Sequence, residues 1–130
     1  VVYISFNAVA HAAEKTISTL NDYSAAPVYF TRDSNGAHEW LIEFEKEPDD
    51  FNKFIIELDT ALKNINSDYE AKRHKSIALR LPIVHKLAAG TFTEWLRSKG
   101  KLGGQHKVPR LSNERGILEE ILAIKNSAII

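Results

Sequence analysis

Apolar residues return at three- and four-residue spacing most clearly between Phe51 and Ile65, where Phe51, Phe54, Ile55, Leu58, Leu62 and Ile65 fall on one helical face. Pro48-Asp49-Asp50 precedes this run, and the aspartates suit the positive end of a helix dipole. Val9, Ala13, Ile17 and Leu20 predict a shorter amphipathic helix over 9–20, and Ile117, Leu118, Ile121 and Leu122 predict a last one over 113–125. Thr91-Phe92-Thr93-Glu94 has the form of a capping box, opening a helix that buries Phe92, Trp95 and Leu96. Gly100 then ends it as a left-handed cap.

Elsewhere the period falls to two. Pro27 to Thr31 reads as a strand, Asp33-Ser34-Asn35-Gly36 as a turn, and His38 to Glu45 as the returning strand of a hairpin. In that second strand Trp40, Ile42 and Phe44 point one way, and Glu39, Glu43 and Glu45 the other, so one face is buried and the glutamates serve the solvent. Leu41 breaks the alternation. Residues 77–87 give a third strand, which Pro82 pushes toward a sheet edge or a bulge because it has no N–H to donate. Trp40 and Trp95 both fall on apolar faces, which favours packing over ligand stacking. The order α-β-β-α-β-α-α implies an α+β fold, a small sandwich with a mainly antiparallel three-stranded sheet packed against helices.

With 130 residues, 44% hydrophobic and 26% charged, residues 1–130 are expected to form one domain with a real core. The chain has no cysteine, which excludes a disulfide scaffold, a thiolate zinc site and a cysteine nucleophile, and fits a cytoplasmic setting. No apolar run reaches membrane-span length, and the opening residues do not read as a signal peptide. A start at Val1 with no methionine anywhere suggests a segment of something longer. The five histidines lack metal-ligand spacing and read as structural residues.

The net charge of zero conceals a segregation. Residues 1–70 carry 13 acidic and 5 basic side chains, a balance of −8, whereas residues 71–113 carry 10 basic ones against Glu94 alone, a balance of +9. Such a block either meets an anionic partner or pairs with the acidic half of its own fold. Within it, Arg97 to Leu111 is a polar, glycine-rich, basic loop between two helices. Gly103 and Gly104 let a ligand approach the backbone, and Lys107 and Arg110 flank the stiff Val108-Pro109 pair. An ammonium near a planar guanidinium suits a phosphate or a developing phosphoryl charge. Gly103-Gly104-Gln105-His106 also looks like the tip of peptide-release factors, which would imply an RNA- or ribosome-binding module. The residues that follow, Lys107-Val108-Pro109-Arg110, depart from that pattern, and Gly100 to Gly104 lacks the ending of a phosphate-binding P-loop.

In order along the chain, Asp22 to Tyr29, Gly36 to Phe44, Asn66 to Arg73, Gly90-Thr91-Phe92 and Gly103 to Arg110 resemble bacterial members of the auxin-responsive-promoter (Gretchen Hagen) family over roughly residues 20–115. The resemblance implies the small C-terminal lid of a two-part adenylate-forming enzyme, an acyl acid amido synthetase. In such an enzyme the N-terminal adenylation domain of the same polypeptide binds ATP, Mg2+ and a carboxylic acid, and an amine such as an amino acid then displaces AMP. By that likeness Lys107 is the catalytic residue that reaches the acyl phosphate. Arg110 is an anchor or second phosphate contact, and Gln105, Gly103 and Gly104 face the substrate. No metal is expected on this chain, no cofactor bound to it alone, and neither nucleic acid nor membrane as partner. The lid by itself is expected to be silent in catalysis. A non-catalytic interaction domain that keeps the fold is the remaining alternative.

Overall fold

Asp50 sets the first fixed point. In the computed structural model, which describes residues 2–29, 35–76, 78–100 and 107–127, its carboxylate accepts the Lys53 N–H at 3.1 Å and caps a helix over Phe51–Ile65. With α1 at Val2–Lys15, this helix is α2; Ser67–Arg73 is α3, Thr91–Ser98 is α4 and Gly116–Ser127 is α5. The strands are β1 (Thr19–Val28), β2 (Ala37–Lys46) and β3 (Ile83–Leu87). β1 and β2 pair antiparallel, β3 lies parallel to β2, and the sheet order is β1-β2-β3.

The expected α+β class and the mainly antiparallel sheet hold. β3 occupies the sheet edge but is shorter than the expected 77–87, beginning just after Pro82, which has no N–H to donate. Three further local expectations change. The first helix lies earlier, because its buried stripe is the small set Ala8, Val9, Ala12 and Ala13. Ile17 instead adopts a left-handed φ of 52° beyond the helix end, and Leu20 belongs to β1. α3 escaped the hydrophobic pattern because Tyr69 is its one buried residue. Asn66 makes it a helix by accepting the N–H groups of Asp68 and Tyr69.

The third change concerns the sheet's second face. Trp40, Ile42 and Phe44 join Tyr23, Phe54, Leu58 and Tyr69 in one core beneath α1, α2 and α3. Leu41 belongs to another, with Leu87 from β3 and Phe92, Trp95, Val108, Leu118 and Ile121 from α4, α5 and the segment before α5. The sheet is therefore covered on both faces. Leu41 shares its side of β2 with Glu39 and Glu43, and both glutamates are buried rather than solvated, leaving Glu45 exposed as expected.

A candidate site around Lys107

β1 and β2 slip register between Leu20 and Asp22, which pair with Phe44 and Glu43, so Asn21 is the extra residue of a bulge. The bulge aims the Asn21 amide at Glu43, whose Oε2 accepts from Nδ2. The other oxygen, Oε1, accepts the Phe92 backbone N–H at 3.1 Å. Glu43 thus caps α4 from a distant strand, and only 1% of it is exposed. The local capping box does not form. Gly90, at φ 91°, occupies the cap position, Thr91 Oγ1 donates back to the Ala88 carbonyl at 2.7 Å, and Glu94 accepts from Arg97. Gly100 does take the expected left-handed form, at φ 68°.

The segment from Lys107 onward runs along the outer edge of β1. Ser24 Oγ donates to the Pro109 carbonyl at 2.7 Å, Ala25 N to the Arg110 carbonyl at 2.9 Å, and Ser112 N to the Ala25 carbonyl at 3.0 Å. Val108 is buried in the second core, while Leu111 packs against the first. Successive residues after Lys107 are thereby fixed, and the Lys107 side chain itself is exposed. It lines a cavity of about 290 Å³ with Asn21, Asp22, Glu43, Thr93 and Arg110.

Arg110 is engaged within the fold. Its Nε donates to Asp22 Oδ1 at 3.4 Å, and its guanidinium lies 5.4 Å from the Phe6 ring centre and 5.3 Å from that of Tyr23. Burial raises the Tyr23 hydroxyl above its ordinary pKa despite its hydrogen bond with Ser5. Much of the mid-chain basic block is spent in the same manner. Arg73 reaches Asp59, Lys72 Asp68, Lys86 Glu47 and Arg110 Asp22, all carboxylates of the acidic first half. Internal pairing therefore accounts for much of the segregation. Lys107 makes no ion pair among the described residues.

Two other buried carboxylates show what full compensation looks like. Asp59 accepts from Tyr69 Oη at 2.6 Å, Arg73 Nε at 2.7 Å and Arg73 Nη2 at 3.0 Å, with Lys63 at 3.2 Å. Burial alone would raise its pKa, but the donors Arg73, Tyr69 and Lys63 outweigh burial and hold it below the ordinary value. Glu39 is likewise lowered against burial by His85 at 2.6 Å and Arg115 at 2.8 Å. His38, in contrast, is lowered by burial and then by Lys72. No group of three or more metal-binding side chains exists among the described residues.

Of the expected site residues, Lys107 and Arg110 share one cavity, whereas Gly103, Gly104 and Gln105 lie outside the described residues. Asn21, Asp22 and Glu43 were missed. The signal for Glu43 was Leu41, which marks the β2 face it shares with the glutamates as buried.

The architecture is an α+β domain whose sheet edge carries a fixed, basic segment, and known proteins of this class can be compared with it. The model of the GH3 family C-terminal domain matches residues 5–116, and the chain belongs to that family. Among solved structures it is similar to "AtGH3.15 acyl acid amido synthetase in complex with 2,4-DB", at 16% identity and a TM-score of 0.71, over 92% of this chain and 23% of that one. It is also similar to "GH3.15 acyl acid amido synthetase", at 18% identity and a TM-score of 0.69, over 95% of this chain and 23% of that one. At these identities the likeness shows the fold, and the chain spans about a quarter of each synthetase's length. No curated protein matches the chain.

Proposed function

We propose that residues 1–130 are the C-terminal lid domain of an ATP-dependent ligase that conjugates a carboxylic acid to an amine such as an amino acid. In the full-length enzyme the acid's carboxylate attacks the α-phosphorus of ATP and releases pyrophosphate. The amine nitrogen then attacks the acyl carbon, AMP leaves, and the amine's proton is lost. Lys107 stabilises the acyl phosphate in this reading. Its carrying observation is the contrast at one cavity: Arg110 is tied to Asp22, while Lys107 is exposed, without an ion pair among the described residues, on a backbone fixed from Val108 to Ser112.

A fixed backbone beneath a long-stemmed cation lowers the reorganisation needed when charge develops on a phosphoryl oxygen. On a lid, that charge acts only while the lid is closed over the neighbouring adenylation domain, which supplies the nucleotide, Mg2+ and the acid pocket. Family membership favours this reading over the release-type module. In the full-length enzyme, Lys107→Ala is expected to slow acyl-adenylate formation, read as pyrophosphate exchange, by on the order of 10²-fold. Exchange at the wild-type rate would remove Lys107 from the mechanism.

A further inference from the structure

Arg110 presents a choice that its sequence position leaves open, because a guanidinium three residues from Lys107 could bind phosphate or hold the chain. Four of its contacts point one way. The guanidinium lies against the faces of two rings, Phe6 from α1 and Tyr23 from β1, at 5.4 and 5.3 Å. Its Nε faces Asp22 of β1 at 3.4 Å. Its carbonyl accepts from Ala25 of β1 at 2.9 Å. A guanidinium that lies over two rings and meets a carboxylate at its Nε edge has its position set by α1 and β1.

Phe6 supplies the second half of the argument. Phe6 is 47% exposed on α1, an uncommon place for a large aromatic on a helix whose buried stripe is Ala8, Val9, Ala12 and Ala13. Contact with the guanidinium accounts for its position. Through Phe6, α1 is joined to the segment that bears Lys107.

We propose that Arg110 is a positioning residue for Lys107, and that Phe6, Tyr23 and Asp22 form the clamp that holds it. Arg110 mounts the Lys107 segment on α1 and β1, and it does not contact the nucleotide. Its pairing with Asp22 also leaves Lys107 as the cation of that cavity free to meet an incoming anion. The proposal rests on the role of Lys107 given above.

The test uses the full-length enzyme, with kcat and the KM for ATP read from pyrophosphate exchange well below the unfolding temperature. Arg110→Ala and Phe6→Ala are each expected to lower kcat about 5- to 20-fold while the KM for ATP stays within about 2-fold. The double variant should match Arg110→Ala alone, because both changes break one clamp. Arg110→Lys keeps the charge but loses the planar stack, and it should recover little of kcat. A 10-fold rise in the KM for ATP with Arg110→Ala would make Arg110 a nucleotide contact and overturn the proposal, as would a Phe6→Ala enzyme with wild-type kcat. If Lys107→Ala is also without effect, the reading of Lys107 falls, and the positioning role with it. If Lys107→Ala is damaging and the clamp variants are not, the positioning role alone falls.

Discussion

The cluster around Asp59 and the cavity beside Lys107 both gather ionisable side chains, yet only the first pairs all of them. Asp59 sits among Tyr69, Arg73 and Lys63, with Arg73 also donating to the Leu79 carbonyl at 3.1 Å, so the cluster knits α2, α3 and the chain leading to β3. Beside Lys107, Glu43 is satisfied by neutral donors, Arg110 by Asp22, and the lysine by nothing charged among the described residues. Buried ionised groups persist in a fold when paired and hydrogen-bonded. An exposed cation that remains unpaired on a rigid mount contributes little to stability, which leaves it available for chemistry.

The sharpest way to break this contrast is Asp59→Ala, which strands the mostly buried Arg73 without its carboxylate. A loss of about 3–5 kcal/mol in denaturant-unfolding free energy is expected. Acidification should attack the same region. Asp59 and Glu39 both have folded pKa values below their ordinary ones. Their stabilisation is therefore present above the unfolded value of about 4 and lost as pH falls through the folded values. The melting temperature should decline steeply below about pH 4, and decline less steeply in Asp59→Asn. Glu43→Ala removes the cap of α4 and should lower the unfolding free energy by about 1–3 kcal/mol. Lys107→Ala, the most damaging change to exchange, should alter stability by less than about 0.5 kcal/mol. A loss of several kcal/mol there would erase the distinction between the regions.

The sequence made α2 legible because Phe54, Leu58 and Leu62 repeat with the helix and Asp50 caps it locally. β2 was equally clear in extent, yet half of its meaning was hidden. Glu39 and Glu43 look solvated by residue type, and their burial depends on Arg115, His85, Asn21 and the Phe92 amide, which come from other elements. β1 was read as starting at Pro27 because Asn21, Asp22, Ser24, Ala25 and Ala26 lack the bulk that marks a strand; pairing with β2 makes them one. Lys107 could be singled out from its loop chemistry. The ties of Arg110 could not, since Asp22 lies 88 residues away in sequence and Phe6 lies further still.

The segment that carries Lys107 also covers the flank of β1, where it occupies both the N–H and the C=O of Ala25. An uncovered strand flank is a template on which another chain can pair and aggregate. Lys107 and that cover are one piece of chain: damage that peels the segment away would displace the lysine and open the flank of β1 to pairing at the same time.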